Sequence, residues 1–139
     1  MGFRVSISDM SNVLEHSIDS VLCKVDTPDE ASARSNDIGN VMQITGRIGT
    51  GEPTIDLYLW SLLPTNDPKA YRNVDVQMIG AQGQLLRKIN FPNAFVVDYS
   101  ESFSVYSGEG TFYILLKQKR DKNENVIVEG DLNFLDEIL

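Results

Sequence analysis

Cysteine and histidine are almost missing from this chain of 139 residues, which holds one of each, Cys23 and His16. With a single cysteine no intrachain disulfide can form, so stability must come from a packed core, and folding in a reducing cytoplasm is the expectation. A zinc site needs several Cys or His ligands at suitable spacing and has no ligand set here. The two residues do not make a nucleophile and its base either. On a strand, Cys23 and His16 point to opposite faces, and on a helix they approach only on a partly apolar side. No Gly-x-Ser-x-Gly elbow is present. Asp26-Thr27 is followed by Pro28 where an aspartic-protease loop needs glycine. Gly46, Gly49 and Gly51 are not followed by the lysine and hydroxyl residue of a phosphate loop. The run Asp121-Lys122-Asn123-Glu124-Asn125 looks like the start of a calcium loop, yet Val126 stands where that loop needs glycine and Leu132 where it needs glutamate, so a polar turn is expected. Catalytic residues, a cofactor site and a metal site are accordingly all read as none, and an enzyme is not expected.

Positive charge is also scarce. Twelve Lys and Arg stand against twenty Asp and Glu, a net charge of −8. That balance argues against a nucleic-acid partner, whose backbone calls for clustered cations. The basic residues that do gather, Lys117, Lys119, Arg120 and Lys122, are expected on a solvated strand edge. No apolar run approaches the roughly 18 residues a membrane helix requires, and Met1 to Ser8 opens a strand with no apolar signal core, so neither membrane insertion nor a signal peptide is expected. The length suits one domain over 1-139, able to bury about two-thirds of its unfolded surface.

What the chain does contain is alternation. Phe3, Val5 and Ile7 alternate with polar residues in a first strand. From Val13 to Val25, Leu14, Ile18 and Leu22 share one parity and Val13, Val21, Cys23 and Val25 the other, so a long second strand competes with a helix. Ile38 to Ile48 is a strand that ends at Gly49. Thr54 is placed to cap a short helix over Ile55 to Leu63, apolar on nearly every side and therefore expected to be buried as a plug, stopped by Pro64. Tyr58, Trp60 and Tyr71 are core aromatics in this reading, with a ligand pocket as the alternative. Val74, Val76 and Met78 begin a hairpin that turns at Gly80-Ala81-Gln82-Gly83 and returns over Leu85 to Phe91. A separate strand from Phe91 to Phe103 follows, then Ser107-Gly108-Glu109-Gly110 and a last long strand from Thr111 to Lys119. Val126 to Val128 suggests one more brief strand, and Asp131 could cap a helix over Leu132 to Leu139. The fold class is mainly β, a small β-barrel or two packed antiparallel sheets with one short buried helix. Asp26 to Asp37 is a polar insertion with no large apolar residue and should project. Residues 120-139 form a C-terminal extension.

The Gly-rich hairpin, the segment Phe91-Pro92-Asn93-Ala94-Phe95-Val96-Val97-Asp98-Tyr99-Ser100-Glu101-Ser102-Phe103, the short break and the closing strand together resemble the second half of the tube proteins of contractile injection systems. The family in question is that of the haemolysin-coregulated protein of type VI secretion. The resemblance implies a structural subunit that forms rings, hexameric in that family, stacked into an inner tube. It implies self-association as the main partnership, with sheath, spike and effector cargo proteins beyond it. It also implies assembly in the cytoplasm and release to the extracellular space as part of an injection particle. By that resemblance the projecting loop, with Asp26, Pro28, Asp29, Glu30, Arg34 and Asp37, is the candidate contact between rings. Asp98, Tyr99, Glu101, Phe103 and Lys117 are the candidate contacts within a ring. The alternative is a monomeric or dimeric β-barrel module that binds a small ligand or peptide.

Overall fold

The computed structural model describes residues 1–26 and 39–130. Seven strands make one antiparallel sheet: β1 (Gly2–Ile7), β2 (Ile18–Asp26), β3 (Gly39–Ile48), β4 (Arg72–Ile79), β5 (Leu85–Ser104), β6 (Glu109–Gln118) and β7 (Ile127–Gly130). Their order is β1-β4-β5-β6-β3-β2, with β7 pairing β5 off this path. The sheet curls until β1 and β2 come into contact, and Leu14 closes the gap with a bridge to Val5. The architecture is thus one curled sheet rather than two packed ones. Its concave side holds the core, where Val5, Met42, Ile44, Val74, Val76, Phe91, Ile114 and Leu116 are buried. Alternation of these residues with outward ones is the period of two that a half-buried strand imposes.

Three strands depart from the sequence reading, each for a local reason. The second strand begins at Ile18 rather than Val13, and no helix forms there. A bulge leaves Asp19 as the extra residue between the pairs Ile18–Gly46 and Ser20–Thr45. It resets the parity, so Ile18, Val21 and Cys23 face the core together while Leu22 turns outward. The segments read as two strands, Leu85 to Phe91 and Phe91 to Phe103, are one strand of 20 residues. Pro92 does not interrupt it because Pro92 and Asn93 together oppose Asn73 in a second bulge, where a missing N–H costs no ladder bond. The third departure is β6, which has β3 on one side and β5 on the other. Lys117 therefore lies in an interior strand, and the lysine cluster is not a strand edge. Lys119 stands over the Tyr71 ring at 5.2 Å and 4.0 Å from the Asp121 carboxylate.

The helix α1 (Ile55–Ser61) closes one end of the curl. Thr54 sits at its start without a side-chain cap bond. Its burial is one-sided: Leu57 and Trp60 enter the core, whereas Ile55, Leu59 and Leu62 stay more than half exposed. The Trp60 indole N–H donates to the Ala70 carbonyl at 2.9 Å, and the Arg72 guanidinium lies 5.3 Å from the ring centre. This fastens the helix to the 3-10 turn Pro68–Ala70 and to the start of β4. Residues 121–125, the calcium-loop lookalike, lie in a 3-10 turn over Arg120–Asn125. The side-chain amide of Gln118 donates to the Lys122 carbonyl and its oxygen accepts from the Asn93 N–H, tying that turn to β5. The expected brief strand is present as β7, one residue later than read. The projecting loop beyond Asp26 and the C-terminal helix expected after Asp131 lie outside the described residues.

A polar knot stabilises the turn after β3. The Glu52 carboxylate accepts from the Glu15 N–H at 2.8 Å, the His16 N–H at 2.9 Å and the Ser17 hydroxyl at 2.6 Å. Burial raises the pKa of this carboxyl, but the hydrogen bonds and the nearby His16 outweigh it and hold the group below its usual range. A depressed carboxylate stabilises the fold above its unfolded pKa and loses that contribution as pH falls through the folded value. Glu52→Gln should therefore cost about 1 kcal/mol at pH 7, a modest figure because the site is partly wet. Urea midpoints compared at pH 7 and pH 3 check this. The gap between variant and wild type should narrow toward pH 3, and a gap that is the same at both pH values would assign the loss to shape and not to charge.

Candidate functional site

The end of the sheet nearest α1 leaves several large apolar side chains without cover, as β2 does at Leu22 and Val25 and β7 at Ile127 and Val128. β4 stops pairing with β5 at Ala94. From Phe95 to Ser104, β5 has β6 on one side, and no strand among the described residues takes the place of β4 on the other. An unpaired edge of this length carries backbone donors and acceptors that a neighbouring chain can use.

A third bulge at Val97 turns this half of β5. Beyond it Tyr99, Glu101 and Phe103 oppose Ile114, Phe112 and Gly110 on the core-side face. The Tyr58 and Tyr99 rings meet edge to face, 5.5 Å between centres. The Tyr99 hydroxyl donates to Glu101 at 2.6 Å. Burial first, and then the Glu101 carboxylate, push the phenol far above its ordinary pKa, so it remains a donor across all physiological pH. The Phe103 ring lies against Gly110, where an added Cβ would fall 2.7 Å from it. Gly110 is thus the residue that lets the ring settle on the ladder.

Between β3 and α1 runs a groove of about 400 Å³, lined mostly by Ile48, Ile55, Tyr58, Leu59 and Leu62, with Thr54 and Glu101 completing it. A second hollow of similar size adjoins it, between Leu62, Tyr99 and Phe103. The β5–β6 hairpin continues past both and ends in a tip at which Val105 and Tyr106 are fully exposed, at 96% and 103%. Gly108 takes φ +68°, the left-handed turn that glycine adopts without strain. Exposed large apolar side chains gathered in this way on a chain with net charge −8 are the mark of an interaction site.

Of the residues expected to meet a neighbour, Tyr99, Glu101 and Phe103 come together here. Asp98 opposes Leu115 and Lys117 opposes Phe95, so both occupy the other face of the ladder. Sequence reasoning missed Ile55, Leu59 and Leu62 as surface residues, and also the Val105-Tyr106 tip. The signals were present: a seven-residue helix apolar all round exceeds what one contact stripe can bury, and two large apolar residues between Ser104 and Ser107 have no reason to sit in a turn. Among the described residues no group of three or more metal-ligating side chains converges. Within the same residues no helix is long and apolar enough to cross a membrane.

No family model matches the sequence, and no curated protein matches it. Solved structures do. Hcp1 from Flavobacterium johnsoniae superimposes with a TM-score of 0.63 at 18% identity, over 94% of this chain and 97% of that one. A chain of the PVC extracellular contractile injection system, from the sheath-tube complex in its extended state, gives 0.57 at 18% identity, over 93% and 88%. A chain of the anti-feeding prophage cap gives 0.57 at 16% identity, with the same coverage. The chain has the fold of the Hcp-like tube proteins along nearly its whole length.

Proposed function

We propose that this protein is a structural tube subunit, forming rings that stack into the inner tube of a contractile injection system, and that it is not an enzyme. The observation that carries the proposal is the uncovered apolar end of the sheet, on a chain whose fold is shared with tube proteins over 94% of its length. A compact protein that exposes Ile55, Leu59, Leu62, Phe103, Val105 and Tyr106 at one end needs a partner there, and a second copy is always at hand. In the ring, six copies in this proposal, Tyr99, Glu101 and Phe103 lie at the contact between neighbours, with Asp98 and Lys117 contributing from the opposite face. The segment with Asp26, Pro28, Asp29, Glu30, Arg34 and Asp37 makes the contact between rings. Sheath, spike and cargo proteins are the further partners. Assembly takes place in the cytoplasm, and the particle carries the tube outside.

The test is solution mass by light scattering coupled to size exclusion, with negative-stain imaging of the large species. A ring of about six times the 15.5 kDa protomer, with a central hole, supports the proposal. A monomer at every concentration rejects it and favours the binding-module alternative, with the α1 groove as its pocket. Deleting residues 27–37 should leave single rings and abolish their stacking. Stacks that persist by electron microscopy would remove the loop from the contact between rings.

A further inference from the structure

β1 and β2 are the end strands of the order β1-β4-β5-β6-β3-β2, so the curl closes where these two meet. We infer that this seam is an acid-sensitive latch: lowering the pH releases the segment between β1 and β2 from the core while the rest of the sheet stays closed. The inference goes beyond the tube-subunit reading and does not rest on it.

The seam is thin. Among the described residues its backbone closure is one bridge, in which the Val5 and Leu14 N–H groups each donate to the other residue's carbonyl at 2.9 Å. A single rung has little cooperativity to protect it. Yet it covers core, since Val5 and Leu14 are 1% exposed and Ser17 is fully buried. Leu14 and Ser17 belong to the connection from Ser8 to Ser17, which lies outside the strands.

Four carboxylates hold that connection and the start of β2 in place. Asp56 of α1 accepts from the Ser11 N–H at 3.4 Å and from its hydroxyl at 3.2 Å. Glu15 pairs with Arg4 of β1 at 3.2 Å. Glu52 accepts from the Glu15 and His16 N–H groups and from the Ser17 hydroxyl. Asp19 takes the Arg47 guanidinium of β3 at 3.0 Å. Other charges face these groups, with His16 beside Glu52, and Asp9 and Asp56 both near Arg72. The ties without a titrating group are the Val5–Leu14 bridge, the Ser17–Thr50 hydroxyl contact, the Arg47 N–H to the Ser17 carbonyl and the Arg47 guanidinium to the His16 carbonyl.

Acid acts on the carboxylate ties. A protonated carboxyl loses its charge and becomes a poorer acceptor. Burial raises the Glu52 pKa, but the hydrogen bonds and His16 outweigh it, so the contribution of this group is complete above the unfolded pKa and lost as pH falls through the folded one. The ladder of β3 and β6 stands instead on backbone bonds and on Met42, Ile44, Ile114 and Leu116, none of which titrates. The seam should therefore open first and bare a strip of Val5, Leu14 and Ile18.

Hydrogen exchange on the full chain, read by mass spectrometry, tests the latch. At pH 7 Glu52→Gln should speed exchange over residues 8–17 about tenfold and leave the β3–β6 ladder around Ile44 and Ile114 at its wild-type rate. Glu15→Gln combined with Asp56→Asn leaves Glu52 in place and should do the same, so the outcome does not hang on the folding of one variant. Wild type brought to about pH 3, below the ordinary carboxylate range, should lose protection selectively over residues 8–17 after correction for the intrinsic rate. It should also bind a dye that marks exposed apolar surface, and both changes should reverse at pH 7. Protection lost equally over the seam and the ladder would mean general destabilisation and overturn the latch. Seam amides that stay protected in the variants and in acid would overturn it as well, whatever the state of assembly.

Discussion

Trp60→Ala should destabilise the fold by about 3–5 kcal/mol, a large share of the roughly 5–15 kcal/mol that holds a domain of this size together. Trp60 is 1% exposed and is the only tryptophan in the chain. Its loss empties the space between α1 and the sheet, and the surrounding strands cannot collapse into it because their ladders fix their spacing. Two polar consequences add to the cavity. The Ala70 carbonyl loses the indole donor, and Arg72, whose guanidinium is partly desolvated, loses the ring it lies over. Urea unfolding followed by far-UV circular dichroism measures the change. Trp60→Phe separates the parts, since it keeps most of the apolar volume and removes the donor, and should cost about 1–3 kcal/mol. If alanine and phenylalanine cost the same, the hydrogen bond rather than the packing is what anchors α1.

Gly46→Ala should be nearly as harmful, although it adds one methyl group. Gly46 sits in β3 opposite Ile18 and Phe112. A Cβ there would overlap the Ser17 carbonyl oxygen and fall 2.5 Å from the Phe112 ring. Overpacking typically costs about 1–3 kcal/mol, and the upper end applies here because a backbone atom is in the way. The Ser17 carbonyl cannot rotate aside, since it accepts the Arg47 N–H at 2.7 Å while the Ser17 hydroxyl is held by Glu52. The clash would therefore pass into the Glu52 knot. A wild-type urea midpoint for Gly46→Ala would show that β2 can slide away from β3 at little cost, and so that the knot is soft.

These two positions also mark what a sequence can and cannot reveal. The alternation of Val74 and Val76, or of Phe112, Ile114 and Leu116, is a direct imprint of the pleat and placed those strands without ambiguity. Bulges erase that imprint, because one extra residue reverses the parity of everything after it. At Asp19 the reversal made Leu22 look like a partner of Ile18, and at Pro92 a proline that reads as a terminator proved to be housed in a bulge. Gly46 offered no signal at all, since its requirement comes from a carbonyl in a distant part of the chain. Of the candidate surface, Tyr99, Glu101 and Phe103 were legible only through the resemblance of the segment Phe91 to Phe103, and Asp98, the odd polar residue in that buried-looking run, lies on the other face of the ladder. The α1 groove was not, because an all-apolar helix reads as core until its exposed face is known.

The strand that runs unbroken from Leu85 to Ser104 changes its neighbours partway along its length. Near Ile89 it is flanked by β4 and β7, and beyond Ala94, among the described residues, by β6 alone. Secondary structure is continuous there, but cooperativity need not be. Amide protons donated to β4 near Phe91 should exchange with deuterium only when the whole domain opens. Those of the ladder beyond Glu101 should exchange through fraying of two strands, orders of magnitude sooner in the isolated protomer. One covalent strand would then join a rigid body to a compliant arm, and slowed exchange in the arm alone would report the arrival of a neighbour.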